Sequence, residues 1–172
     1  MDWTAHIVIA VIVGLLIVSY VAQLTIVNKT SMLPTLQHGN ILIIDKISPK
    51  LGKLNRGDIV TINDITVASG EKEVIIKRII GLENDKIEIR DGKVYVNNEE
   101  IIENYINGNI TLPGDPEFSN LIVPEGHIYV LGDNRLPNES LDSRNLGTID
   151  IKKVSGKVIL RLFPFKKFGI IK

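Results

Sequence analysis

Three segments of the chain contain side chains that could do chemistry, and the first of them holds a serine. Ser31 lies in TSMLPTLQHGN, residues 30–40, between an uncharged stretch and a proline turn. A serine in such a position could cap a helix, form a turn or act as a nucleophile. The three histidines are the usual candidates for its base, but their spacing matches no metal pattern, and each fits a surface or turn position better. A Ser–His–Asp triad stays open, although nothing in the sequence points to one.

Lys77 is the second candidate, because it lies in a predicted strand where one of two adjacent cations must face inward. In VIIKRII, residues 74–80, the two-residue period of a strand puts Lys77 on one face with Ile75 and Ile79, and Arg78 on the other. A buried ammonium is costly unless it is paired or loses its proton. A neutral lysine amine can deprotonate a serine. The pattern alone favours a simpler interpretation, in which both side chains extend along an edge strand into water.

The third segment is GDNRLPNESLDSRNLG, residues 132–147, which is rich in serine, aspartate and arginine. Asp142 and Arg144 could form a bidentate ion pair that stiffens this loop. Many loops without catalytic function have a similar composition, so the segment is weak evidence when it is taken alone.

The composition excludes several classes of function. The chain has 172 residues with 20 basic and 20 acidic side chains, so no net charge attracts nucleic acid. It has no cysteine, which excludes a disulfide framework and a thiolate metal site. We therefore expect no metal, no cofactor and no nucleic-acid partner.

The N-terminal stretch is apolar enough to predict a membrane anchor. No Lys, Arg, Asp or Glu occurs from Trp3 to Asn28, and Ile7–Val27 exceeds the roughly 20 residues needed to cross a bilayer. A cleaved signal peptide would need a basic start and a shorter apolar core. We therefore predict an uncleaved transmembrane helix within residues 1–28. The charges that flank it do not place the following domain outside the cell, and they weakly favour the opposite orientation.

Residues 29–172 are predicted to form a mostly β catalytic domain. Aliphatic runs that alternate with turn signals indicate a coiled antiparallel sheet or a partly closed barrel. The Asp-Gly pair within residues 86–96 is the strongest hairpin signal. An Asn/Gly/Pro-rich stretch near 104–120 indicates a loop. The predicted strands lie within residues 41–47, 56–62, 73–82, 86–96, 127–133 and 154–165.

The motifs SMLPT, RGDIV, KRIIG and GDNR, the last followed by Ser140 and DSR, occur here in the order and approximate spacing of type I signal peptidases. The chain resembles the bacterial form, which has a lysine where the endoplasmic-reticulum form has a histidine. The resemblance runs from the anchor to the C-terminal strands. It implies a signal-peptidase fold of coiled antiparallel sheets.

The resemblance also implies a mechanism. Ser31 would attack the scissile carbonyl and form an acyl-enzyme, and Lys77 would be the general base. The backbone N–H of Ser31 would stabilise the oxyanion. The substrate would lie as an added strand between the segment before Ser31 and the strand before Lys77.

Further residues have supporting roles by the same resemblance. Ser140 would orient the lysine amine, Asp142 and Arg144 would form a supporting ion pair, and Asp133 and Arg135 would hold the loop together. Small apolar pockets for Ala-x-Ala residues would be lined by Met32, Leu36, Ile75 and Ile76. One departure concerns Lys29, which stands where some members have a serine whose hydroxyl completes the oxyanion hole.

The predicted function is thus removal of signal peptides from exported preproteins by a single-pass enzyme of the cell membrane, with its catalytic domain on the extracytoplasmic face. Its partners would be preproteins, the lipid bilayer and the nearby secretion machinery. Two alternatives stay open. One is a Ser/Lys protease that cuts itself, and the other is a non-catalytic signal-peptidase-like chaperone for surface-protein assembly.

Overall fold

The structure of the protein is a computed structural model, and it describes residues 3–16, 20–67 and 69–171. Short strands dominate it, as expected for a chain rich in isoleucine and valine. The helices are α1 (Trp3–Leu16), α2 (Pro116–Ser119) and α3 (Ser143–Leu146), with 3-10 turns at Pro49–Leu51, Ile151–Lys153 and Phe165–Lys167. The strands are β1 (Ala22–Ile26), β2 (Ile41–Asp45), β3 (Ile59–Thr66), β4 (Lys72–Gly81), β5 (Lys86–Arg90), β6 (Lys93–Val96), β7 (Glu99–Glu100), β8 (Asn120–Ile122), β9 (His127–Leu131), β10 (Ile149–Asp150), β11 (Val154–Phe163) and β12 (Gly169–Ile170).

The N-terminal region differs from the predicted transmembrane helix. Helix α1 is apolar and buries none of its residues, but it has only 14 residues. Among the described residues, no helix has both the length and the apolar character needed to span a membrane. Residues 22–26 of the predicted span form strand β1 instead, because they pair in register with β2. Residues 17–19 of that span lie outside the described residues.

The larger sheet creates the framework of the site. Its strands follow the order β1-β2-β11-β3-β4-β9-β10. The short β12 also pairs with β11, outside this order. Every neighbouring pair is antiparallel. β4 pairs with β3 along its length, but its pairing with β9 begins only at Arg78. Among the described residues, the first half of β4 and the outer side of β1 therefore have free edges.

The smaller sheet has the order β7-β6-β5-β8 and packs its apolar residues in a separate cluster. Asp91 and Gly92 both have positive φ, which is the conformation of the tight turn that their sequence predicts between β5 and β6. Two further apolar clusters lie in the larger sheet. One of them contains the buried Met32 and Leu36 beside the nucleophile candidate.

The mostly β, antiparallel architecture is confirmed, but a closed barrel is not part of the described fold. Within the described residues neither sheet closes on itself, because the terminal strands β1 and β10 pair with different neighbours and not with each other. The predicted loop near 104–120 is irregular up to residue 115 and then contains α2.

Candidate active site

Ser31 and Lys77 come together from two different parts of the larger sheet. Lys77 Nζ lies 2.6 Å from Ser31 Oγ and donates a second hydrogen bond to the carbonyl oxygen of Ile76 at 2.9 Å. Both side chains are buried, with 8% of Ser31 and 2% of Lys77 exposed. The two residues that the sequence singled out are therefore in direct contact, and no other ionisable side chain stands between them.

The simpler interpretation of the two adjacent cations in β4 is wrong. Lys77 and Arg78 are each only 2% exposed, so neither extends into water. The reason is topological, since β4 becomes an interior strand at Arg78, where β9 joins its second edge. The two side chains leave opposite faces of the strand, and each has its own polar environment.

The environment of Lys77 favours a neutral amine. Burial lowers the pKa of Lys77 from 10.5 to about 8. The positive charges of Lys29 and Arg144 act in the same direction, whereas the negative charges of Asp142 and Asp133 oppose them. A lysine with this pKa is substantially deprotonated near pH 8, so that its nitrogen can accept the proton of the Ser31 hydroxyl.

Ser31 is held by a tight turn that follows β1. The Leu33 N–H donates to the Thr30 carbonyl at 3.0 Å, and the Leu36 N–H donates to the Met32 carbonyl at 2.8 Å. The Ser31 carbonyl accepts from the backbone N–H of Asn134 at 3.0 Å. Its own N–H has no acceptor among the described residues, so it is available to a ligand.

The loop between β9 and α3 packs against Ser31 and Lys77. Asp142 receives hydrogen bonds from both Nε and Nη2 of Arg144 at 2.9 Å, which confirms the predicted bidentate ion pair. It also accepts from the Gly132 N–H at 3.0 Å. Burial alone would raise the pKa of Asp142, but the hydrogen bonds and charge of Arg144 outweigh it and lower that pKa. Asp142 therefore stays ionised and fixes the loop.

Ser140 does not make the contact with the lysine amine that the resemblance implied. Its hydroxyl donates to Asp142 Oδ2 at 2.7 Å. It is nevertheless next to the nucleophile, with Gly132 between them. A Cβ atom at Gly132 would lie 2.2 Å from Ser140 Oγ and 2.5 Å from the Ser31 carbonyl oxygen. Only glycine leaves room for this packing.

Asp133 and Arg135 stabilise the same loop, but each is paired with a residue outside it. Asp133 accepts two hydrogen bonds from Arg78, at 2.8 Å and 2.7 Å, in a fully buried ion pair. Arg135 pairs with Glu103 and donates to the Gly132 carbonyl at 2.8 Å. The loop is thus tied to β4 by one residue and to the segment after β7 by the other.

A cleft of about 440 Å³ opens beside Ser31 and Lys77. Three of the four predicted substrate-contact residues line it, namely Met32, Ile75 and Ile76. The fourth, Leu36, does not line this cleft and is fully buried in the apolar cluster that contains Met32. No group of His, Asp or Glu side chains in the described part of the chain is arranged to hold a metal ion.

Comparison with known proteins identifies the family. The family model described as signal peptidase, peptidase S26, matches residues 1–163. The chain belongs to this family. Signal peptidase I of Bacillus licheniformis is 39% identical to it over 176 residues, covering 96% of this chain and 90% of the relative. Signal peptidase I T of Bacillus subtilis is 36% identical, covering 97% and 87%.

Solved structures include a signal peptidase I from Enterococcus faecalis with a TM-score of 0.49 and 31% identity, covering 61% of this chain and 96% of that one. As a member of peptidase S26, the chain is a serine endopeptidase. This confirms the resemblance drawn from the four motifs.

Two polar pairs that line the spaces beside Ser31 and Lys77 in this peptidase were missed by the sequence analysis. Lys29 forms an ion pair with Glu73, across the cleft from it. Thr30 donates its hydroxyl to Glu139 at 3.0 Å. Both pairs join residues that are distant in the sequence, so no local pattern reveals them.

Proposed function

We propose that this peptidase removes signal peptides from exported preproteins, with Ser31 as the nucleophile and Lys77 as the general base. The observation that carries the proposal is the 2.6 Å contact between Ser31 Oγ and the buried Lys77 Nζ. Family membership supports the substrate class, since the relatives are named signal peptidase I.

The reaction takes place in two steps. The neutral Lys77 amine removes the hydroxyl proton as Ser31 Oγ attacks the scissile carbonyl, and Lys77 then returns a proton to the departing amine. The product of this step is an ester between Ser31 and the signal peptide. Lys77 next takes a proton from water as the water attacks the ester, and it gives that proton to Ser31 Oγ as the ester bond breaks. The signal peptide leaves as a carboxylic acid and Ser31 regains its hydroxyl. The Ile76 carbonyl, which accepts from Nζ, keeps the amine aimed at Ser31 throughout.

The oxyanion is stabilised by the backbone in this proposal. The Ser31 N–H has no acceptor among the described residues and belongs to the same residue as the attacking Oγ. The Thr30 hydroxyl is committed to Glu139, and Lys29 has no hydroxyl to offer. The Ser31 N–H is therefore the donor that this chain provides from the nucleophile's own turn.

The substrate binds as an extended strand. The free edge of β1 and the free edge of the first half of β4 face the cleft, so a peptide can pair its backbone with either. Small residues before the scissile bond, as in an Ala-x-Ala site, fit against Met32, Ile75 and Ile76. Larger side chains would meet these apolar walls, which are backed by the packed core.

The enzyme is proposed to work at a membrane surface, with its catalytic part on the extracytoplasmic side and close to the secretion machinery. Helix α1 has no charged residue and buries nothing against the protein. Ile26 and Phe163 both lie opposite Ile41 in the sheet, so they share an exposed apolar face. Two lysines follow at positions 166 and 167, where they can contact anionic headgroups.

Cleavage of a preprotein with an Ala-x-Ala site tests the proposal. The wild type, in detergent or vesicles, should release a mature protein that begins after the second alanine. Ser31→Ala and Lys77→Ala should abolish cleavage, as should Lys77→Arg, because a guanidinium keeps its proton. Lys93→Ala is the matched control, since this exposed lysine lies on the smaller sheet and does not line the cleft.

Three results would contradict the proposal. Undiminished cleavage by Lys77→Ala would exclude the Ser/Lys mechanism. Absence of cleavage by folded wild type would favour the chaperone-like alternative. Loss of full-length enzyme over time without any added substrate would indicate self-cleavage instead.

A further inference from the structure

The ion pair between Lys29 and Glu73 joins the two walls of the substrate cleft. Lys29 is two residues before the nucleophile, in the segment that follows β1, and Glu73 is four residues before the base, in β4. Their charged ends meet although both side chains are partly exposed, 58% for Lys29 and 32% for Glu73. Glu73 has no part in the mechanism proposed above, and Lys29 contributes to it only through its positive charge, which helps to lower the pKa of Lys77.

The pair crosses a continuous groove. The cleft of about 440 Å³ and a neighbouring one of about 420 Å³ share Lys29, Ser31, Ile75 and Lys77 among their lining residues. The Lys29 side chain thus borders both spaces as it extends toward Glu73. We call the Lys29–Glu73 ion pair a strap, because it crosses a groove that is also lined by Ser31 and Lys77.

The sheet order fixes how a bound peptide meets this strap. Four successive antiparallel pairings separate β1 from β4, so the two cleft walls run in the same direction. A strand inserted between two others needs about 10 Å between them, twice the usual strand spacing. An extended lysine and an extended glutamate can bridge such a gap. The ion pair can therefore stay closed over a bound peptide.

The position of Glu73 gives the substrate residue that lies beneath the strap. Four residues of β strand span about 13 Å, so the strap lies about four residues from the scissile bond. Residues before the bond are expected on this side, because Ile75 and Ile76 lie between Glu73 and Lys77. Glu73 points to the same face of β4 as Ile75 and Lys77, so the strap covers that face of the peptide.

We propose that Lys29 and Glu73 form a specificity strap that excludes bulky and charged side chains about four residues before the cleavage site of a preprotein. This inference rests on the proposed signal-peptidase function. A large side chain under the strap must break the ion pair or move the peptide away from Ser31. A charged side chain can pair with the member of opposite sign only by releasing the other member, so it must also break the ion pair.

The test compares preproteins that carry Ala, Trp, Lys or Glu at the fourth residue before the bond. Wild type should cleave the Trp, Lys and Glu substrates with kcat/KM lower than for Ala by about tenfold, within the range found for a misfitting group in a binding pocket. Lys29→Glu and Glu73→Lys should each reduce the discrimination against Trp to about twofold or less, because two like charges cannot form the pair. The double variant Lys29→Glu/Glu73→Lys should restore the discrimination against Trp, because it rebuilds the pair with reversed charges.

Each comparison is a ratio of two substrates with one enzyme, so a change in the intrinsic rate cancels. The matched control is the swap Lys93→Glu/Glu100→Lys, which reverses an exposed ion pair of 2.8 Å on the smaller sheet and should change no ratio. Equal kcat/KM for all four substrates with wild type would overturn the strap. So would a double variant no more selective than the single ones. Failure of wild type to cleave the Ala substrate would instead refute the proposed function.

Discussion

Replacing Lys77 by methionine should stabilise the protein at low pH and lose that advantage at high pH. Burial lowers the pKa of Lys77 from 10.5 to about 8, so the folded protein binds this proton more weakly than the unfolded chain does. At 1.4 kcal/mol per pKa unit, keeping the ammonium buried costs about 3 kcal/mol below pH 8. The cost disappears as the pH rises from 8 to above 10.5, because both states are then neutral.

Lys77→Met removes the charge but keeps a side chain of similar length. Its free energy of unfolding relative to wild type should therefore be about 3 kcal/mol more favourable at pH 6 than at pH 11. The lost hydrogen bonds and altered packing contribute equally at both pH values, so they cancel in this difference. Chemical unfolding of the full chain in mild detergent, followed by far-ultraviolet circular dichroism, gives both values.

The exposed Lys72 provides the control for that experiment. It lies on the same strand, with a side chain that is 68% exposed. The free energy of unfolding of Lys72→Met relative to wild type should therefore be the same at pH 6 and pH 11. If the relative free energy of unfolding of Lys77→Met were the same at both pH values, or more favourable at pH 11, burial would not be what makes Lys77 a neutral base.

Three further predictions concern the same site. Between pH 6 and 8, kcat/KM for preprotein cleavage should rise almost tenfold per pH unit and level off above about pH 8, following the pKa of Lys77; a flat profile would contradict this. Gly132→Ala, whose Cβ would lie 2.2 Å from Ser140 Oγ, should lower the free energy of unfolding by about 1–3 kcal/mol and reduce cleavage, and unchanged kinetics would be inconsistent with the packing described. Asp133→Asn leaves the buried Arg78 without its carboxylate and should cost about 3–5 kcal/mol in urea unfolding, whereas a loss below 1 kcal/mol would mean that water reaches the guanidinium.

The strands could be predicted because their signals are local. The Asp91-Gly92 turn and the flanking alternation predicted β5 and β6 to the residue. The error occurred at residues 22–26, where hydrophobicity alone does not distinguish a strand from the end of an apolar helix. Pairing with β2 decides the outcome there, and no local pattern contains that long-range register.

The site was predictable to the extent that it depends on motifs. Ser31 and Lys77 followed from the resemblance, and the Asp142–Arg144 pair could be inferred from spacing because the two residues lie on one turn. The partner of Asp133 could not, since Arg78 is 55 residues away in the sequence. The burial of Lys77 likewise depends on β9, which joins β4 only in the folded sheet.

Strand β4 has one neighbouring strand before Arg78 and two from Arg78 onward, so its two halves differ in backbone rigidity. After Lys77 the strand has neighbours on both edges and is anchored by the Arg78–Asp133 pair, whereas the backbone of residues 72–76 pairs with β3 alone. The half that is proposed to bind the preprotein can therefore shift to accommodate substrates of different sequence. The half that carries the amine need not move with it. One enzyme can in this way cleave many secreted proteins while the position and pKa of the Lys77 amine stay the same.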